Sequence, residues 1–79
     1  MPKLPVPVID MKATGQNIMK LRKRNGLSVR QLQQMLGFAT ATAIYQWQYG
    51  NALPSLDNLL ALSYIFHVPM EKILIYEEV

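Results

Sequence analysis

The sequence contains no cysteine, so neither disulfides nor cysteine-ligated metals can supplement its core. That absence fits a reducing compartment, and a cytoplasmic location is the expectation. Histidine occurs once, as His67, and acidic residues number five. Asp57, Glu71, Glu77 and Glu78 show no convergent spacing, so a metal site would have to be assembled from scattered carboxylates. Catalysis needs a nucleophile with a base, a carboxylate pair or a metal. None stands out, and no Gly-rich phosphate loop occurs. An enzyme is therefore not expected, nor is a metal or a cofactor. No apolar run approaches the roughly 20 residues that span a bilayer. The Pro-spaced opening Met1-Pro2-Lys3-Leu4-Pro5-Val6-Pro7 lacks the continuous apolar stretch of a signal peptide, and no membrane partner is expected.

What is present is apolar. Half of the 79 residues are hydrophobic, at 51%, which suits one compact all-helical bundle and leaves no length for a second domain. A separate ligand-sensing domain does not fit either, so no small-molecule ligand is expected. The net charge of +3 is small, but its distribution is uneven. Residues 1–36 carry seven Lys or Arg against Asp10, a net +6. Residues 37–79 carry Lys72 against four carboxylates, a net −3. A positive face of this kind suits an anionic polymer, while an ordinary solvated surface produces the same count.

The pattern predicts an extended arm over residues 1–13 and a helical domain over 14–79. Pro2, Pro5 and Pro7 forbid a helix in the arm. Helix 1 is expected from Gly15 to Asn25, with Thr14 as N-cap and Ile18 and Leu21 on one face. Helix 2 has the clearest start, because Ser28-Val29-Arg30-Gln31 reads as a capping box, with Leu27 and Leu32 at the staple positions around it. Leu32, Met35 and Leu36 give its apolar face, and Gly37 closes it. Helix 3 is expected from Ala41 to Tyr49, capped by Thr40. Its Ala43, Ile44 and Trp47 point one way and Thr42, Tyr45, Gln46 and Tyr49 largely the other. Helix 4 opens at Pro54-Ser55 with Ser55 as N-cap and Asp57 in its first turn. Its buried stripe is expected at Leu56, Leu59, Leu62, Ser63 and Phe66. A short helix 5 is expected from Met70 to Leu74, with Pro69 as its first residue. The run Ile73-Leu74-Ile75-Tyr76 equally fits an extended segment against Val6–Ile9, and both readings stand on pattern alone.

The informative unit is the pair of helices joined by the short turn Gly37-Phe38-Ala39-Thr40. Helices joined this way cross steeply, so the second projects while its apolar side stays anchored, a geometry suited to the major groove of DNA. Thr40, Ala41 and Thr42 would meet the duplex first, and small residues there allow close approach. Tyr45 and Gln46 follow one turn later. Gln can pair with adenine through two hydrogen bonds, and methyl groups of Ala or Thr can pack on the thymine methyl. Ser28 and Arg30, at the start of helix 2, are placed to hold a phosphate. Lys20, Lys23 and Arg24 offer further cations for the backbone. For Trp47, Ile44, Leu32 and Leu36 a place in the core outweighs any contact with a ligand. His67 is expected to meet solvent or the dipole of helix 4.

The segments Ile18-Met19-Lys20-Leu21-Arg22, Gly26-Leu27-Ser28 and Leu36-Gly37-Phe38 lead into Ala43-Ile44-Tyr45-Gln46-Trp47-Gln48-Tyr49-Gly50 and Leu53-Pro54-Ser55-Leu56-Asp57-Asn58-Leu59. Together they resemble the lambda-repressor-like, Xre/Cro-type helix-turn-helix domain over Gly15 to Leu74. The opening Ile9 to Gly15 is similar to that of small stand-alone regulators of Gram-positive bacteria. The resemblance implies a five-helix bundle that binds double-stranded DNA through helix 3, usually as a homodimer. It places the base-reading positions at Ala41, Thr42, Tyr45 and Gln46, and backbone contacts at Val29 and in the Asn51-Ala52 loop. Tyr49, at the end of helix 3, joins the backbone group. Where the family usually has a Glu two residues before the helix 3 Gly, this sequence has Gln48. A buried Arg22–Glu pair would thus become an Arg22–Gln48 hydrogen bond. The expected function is transcriptional regulation. The alternative is a protein-interaction or antitoxin-like accessory module on the same fold, favoured by a helix 3 that carries no Lys or Arg. The arm and the Ile73–Tyr76 tail are the candidate dimer surfaces.

Overall fold

Asp10 starts the first helix of the computed structural model, which describes residues 4–78. Its carboxylate accepts the Ala13 N–H at 2.9 Å, and α1 then runs Met11–Arg24. The chain goes on through α2 (Val29–Leu36), α3 (Thr42–Gln48) and α4 (Leu56–Phe66) to a 3-10 turn at Met70–Lys72. A strand at either end, β1 (Pro7–Ile9) and β2 (Tyr76–Glu78), closes the molecule as an antiparallel ribbon. Pro7 stands opposite Glu78, Val8 opposite Glu77 and Ile9 opposite Tyr76.

Three expectations fail at the two ends of the chain. First, the extended segment expected over 1–13 stops short: Pro7–Ile9 is extended and paired as a strand but 11–13 is helix, while residues 1–3 lie outside the described residues. The Asp10 N–H donates to the Ile75 carbonyl at 2.8 Å, so ribbon pairing fixes the residue that caps α1. Second, Thr14 is not that cap. It is fully buried inside α1, where its hydroxyl accepts the Ile75 N–H at 2.9 Å and donates to the Ile75 carbonyl at 3.3 Å. Third, the described residues form four α-helices and not five. The Asn17 side-chain amide donates to the Lys72 and Ile73 carbonyls at 2.9 and 3.0 Å. Two carbonyls that a longer helix would use internally are thus taken by α1. Ile73 buries completely, and the chain leaves into β2. Of the two readings left open for the tail, the extended one applies, with the pairing at Tyr76–Glu78.

The middle of the chain follows its local signals. Both halves of the capping box form: Ser28 Oγ accepts the Gln31 N–H at 3.0 Å, and Gln31 Oε1 accepts the Ser28 N–H at 2.8 Å. Gly37 ends α2 in the left-handed region at φ 73°, a conformation that costs a β-carbon-bearing residue about 1 kcal/mol or more. Ser55 Oγ caps α4 through the Asn58 N–H. The core joins Ile18 and Leu21 of α1, Leu32 of α2, Ile44 and Trp47 of α3, Leu59, Leu62 and Phe66 of α4, and Ile73. Two residues expected inside are outside. Met35 is exposed, and Leu56 is 75% exposed because it is the first residue of α4, before the stripe turns inward. Ser63 is half-buried and donates its hydroxyl to the Val68 carbonyl.

Candidate nucleic-acid interface

The backbone of α1 carries α3. At Gly15 an added Cβ would collide with the Trp47 carbonyl oxygen and lie 2.9 Å from that of Gln48. Only a glycine lets the two backbones meet so closely. Ile44 and Trp47 are buried beneath α3, and the Phe38 ring meets Trp47 edge-on at 5.8 Å between centroids. The turn is therefore fastened to the core on one side of the helix, and the other side is left to solvent.

That outer side is the one expected. Thr42, Tyr45, Gln46 and Tyr49 are exposed at i, i+3, i+4 and i+7, one face of a helix. Tyr45 and Tyr49 stack at 6.2 Å with an interplanar angle of 21°. The helix is one residue shorter at each end than predicted. Ala41 occupies the N-cap position with no side-chain cap bond, Tyr49 is the C-cap, and the turn spans residues 37–41. Thr40 still engages the first turn, since its hydroxyl oxygen accepts the Thr42 N–H at 3.4 Å and the hydroxyl donates to Thr42 Oγ1 at 3.3 Å. Thr40 and Asn51 are exposed and Ala41 is half-exposed.

The exposed cations expected to meet the DNA backbone lie on the two helices before α3. Lys20, Lys23 and Arg24 are exposed at i, i+3 and i+4 of α1, and Arg30 is exposed in the first turn of α2. Arg22 ties their supports together. It is 9% exposed; its Nε donates to Gln48 Oε1 at 3.1 Å and its Nη1 to the Leu27 carbonyl at 2.7 Å. The last turn of α1, the loop before α2 and the end of α3 are thereby held side by side. The backbone amide of Ser28 is occupied by Gln31, so its hydroxyl and the amides of Val29 and Arg30 remain as donors at that end. Lys12 was missed by sequence reasoning, which placed it in the arm. Its backbone packs against Gly50, at 2.7 Å from an added Cβ, so an exposed cation stands beside the loop that carries Asn51. The signal was Asp10 three residues before Ala13, which reads as a cap only once α1 is known to begin there.

Among the described residues no three His, Asp or Glu side chains come together as a metal-binding group, and no helix is long and apolar enough to cross a membrane. Residues 18–73 match the family model described as helix-turn-helix. Solved structures share the fold, three of them as follows. The restriction-modification controller protein C.AhdI from Aeromonas hydrophila is 25% identical with a TM-score of 0.72, over 81% of this chain and 96% of that one. The DNA-binding domain of BldD is 20% identical with a TM-score of 0.69, over 82% and 93%. The S. venezulae BldD DNA-binding domain gives 20% and 0.69, over 82% and 96%. No curated protein matches. With more than two thirds of its length inside the family model, and with the capped second helix, the short turn and the core-anchored third helix in place, the chain belongs to the helix-turn-helix family, of the lambda-repressor-like Xre type.

Proposed function

We propose that this protein is a cytoplasmic, sequence-specific regulator of transcription that binds double-stranded DNA with α3 in the major groove. The observation that carries the reading is the face of Thr42, Tyr45, Gln46 and Tyr49, exposed on a helix whose opposite side is fixed in the core. Thr40, Ala41, Thr42, Tyr45 and Gln46 read base edges. Ser28, Arg30, Lys20, Lys23, Arg24, Tyr49 and Asn51 meet the backbone, and Lys12 joins them. Structural neighbours described as a controller protein and as DNA-binding domains support the assignment. Regulation works by occupying an operator.

A module this small offers an interface of roughly 600–1,000 Å² to DNA, so the regulator acts as a homodimer on a two-fold symmetric site. The β1–β2 ribbon, with Val8 and Tyr76 exposed and Val6 exposed just before it, is the proposed dimer surface. Sedimentation of the protein with and without its duplex checks this, and a monomer in both removes it.

Selection from random-sequence duplexes at two salt concentrations tests the whole proposal. A two-fold symmetric motif with steep salt dependence supports it. Salt-insensitive behaviour without enrichment favours the second reading, a protein-interaction or antitoxin-like module. That reading rests on a helix 3 without Lys or Arg, and a pull-down would then find the partner.

A further inference from the structure

The sequence from Gln31 to Leu56 contains no Asp, Glu, Lys, Arg or His. This stretch includes α2 from Gln31 onward, the whole turn, α3 and the loop beyond it. Every side chain offered by the outer face of α3 is therefore neutral. We infer that α3 reads A·T base pairs, recognising thymine by its 5-methyl group and adenine through Gln46. The inference rests on the DNA-binding proposal above and names the kind of site it takes.

The chemistry follows from the edges displayed in the major groove. Guanine is recognised above all by Arg or Lys donating to O6 and N7, and cytosine by a carboxylate accepting from N4. Neither partner is available between residues 31 and 56. Adenine is recognised by Asn or Gln through N6 and N7, and thymine by apolar contact with its methyl group. Gln46 is exposed in the middle of α3 and supplies the first. Thr40, Ala41 and Thr42 supply methyl groups at its start. The Tyr45 ring supplies a larger apolar surface, restrained by its stack on Tyr49. Restraint before binding lowers the ordering cost that the contact must offset.

The same pattern separates affinity from specificity. The exposed cations assigned to the backbone, Arg30 on α2 and Lys12, Lys20, Lys23 and Arg24 on α1, lie outside the uncharged stretch. Phosphate attraction therefore comes from one part of the molecule and base choice from another. Changing α3 should alter which site is preferred and leave the salt dependence as it is.

The test uses the full chain. Duplexes are selected from a random pool at low salt. Each thymine of the enriched site is then replaced by deoxyuridine, which removes one methyl group and leaves the hydrogen-bonding edge intact. The expected site has A·T pairs at the centre of each half-site. One or more deoxyuridine substitutions there should weaken binding about four-fold, the worth of one buried methyl group. Gln46→Ala should remove the preference for adenine at one position of each half-site, with the circular dichroism spectrum unchanged. Half-sites centred on G·C pairs, or full affinity after every deoxyuridine replacement, would overturn the inference and leave DNA binding standing. Absence of salt-sensitive binding to any duplex would remove the DNA reading itself, and the inference with it.

Discussion

The Nε of Arg22 donates to Oε1 of Gln48 over 3.1 Å, so a buried guanidinium is held by a neutral amide and, through Nη1, a carbonyl, with no counter-ion among the described residues. Two substitutions separate the hydrogen bond from the charge. Gln48→Leu keeps the bulk but strips the Nε of its acceptor, and should cost about 2–4 kcal/mol. Gln48→Glu supplies a counter-ion at the same reach and should raise stability by about 1 kcal/mol at pH 7, or roughly 4–8 °C in Tm. The gain has a defined pH dependence. The introduced carboxylate has a folded pKa below its unfolded value of about 4.3. Its contribution is thus present above that value and lost as the pH falls through the folded one. Thermal melts at pH 7 and pH 3 check this. A gain that is equal at both would show that the charge is irrelevant.

Gly15 makes a sharper demand. Its missing side chain is the space occupied by the Trp47 carbonyl, and backbone in a packed helix has little freedom to yield. Gly15→Ala should cost at least about 3 kcal/mol, at or beyond the top of the usual overpacking range, although alanine is the better helix former. Gln16→Ala, at the exposed neighbour, should be near neutral. Denaturant titration of the two variants measures the difference. Equal stabilities would mean that α1 and α3 can separate at no cost.

What was legible in the sequence was local. Ser28 and Gln31 signal each other across three residues, and the structure forms both of their bonds. The period of Ile44 and Trp47 determines which side of α3 faces the core, and so exposes Tyr45 and Gln46. The Arg22–Gln48 bond was legible only through the resemblance, because 26 residues separate the partners. The failures were non-local. Thr14 and Asp10 both belong to the residue types that cap helices. What decides between them is the pairing of Asp10 and Thr14 with Ile75, 61 residues beyond Thr14. The same contact, with Asn17, turns the expected fifth helix into a 3-10 turn and a strand.

That pairing can be tested through Thr14 itself. Thr14→Val preserves shape and burial but removes the acceptor of the Ile75 N–H. A buried amide left unpaired costs about 1–3 kcal/mol. The effect should be seen first by hydrogen exchange, as faster exchange at Ile75, with the core of α3 unaffected. Unchanged protection there would show that the ribbon stands without Thr14.

His67 ends α4 in the left-handed region at φ 57°, the non-glycine residue with positive φ among those described. Its side chain is exposed. His67→Gly should therefore relieve backbone strain while removing little packing, and stabilise by about 1 kcal/mol. Chemical denaturation provides the check, and a destabilised variant would mean that the imidazole makes a contribution of its own.

The division between charge and base choice gives the last prediction. Lys23 and Arg24 end α1, beside the loop that Arg22 fastens to α3. Removing one cation from a phosphate lowers the slope of log affinity against log salt by about 0.9. Lys23→Gln with Arg24→Gln should thus flatten that slope by up to roughly 2 units and weaken all duplexes alike. Tyr45→Ala with Gln46→Ala should do the opposite, reducing binding to the selected site toward that for random DNA while the slope stays within error. Both side chains are exposed, so folding should persist in each double variant. The comparison needs only titrations of one specific and one random duplex at several salt concentrations. If the α1 pair changed site preference, or the α3 pair changed the slope, the two roles would not be separable. Helix α1 would then have to be counted among the base-reading elements.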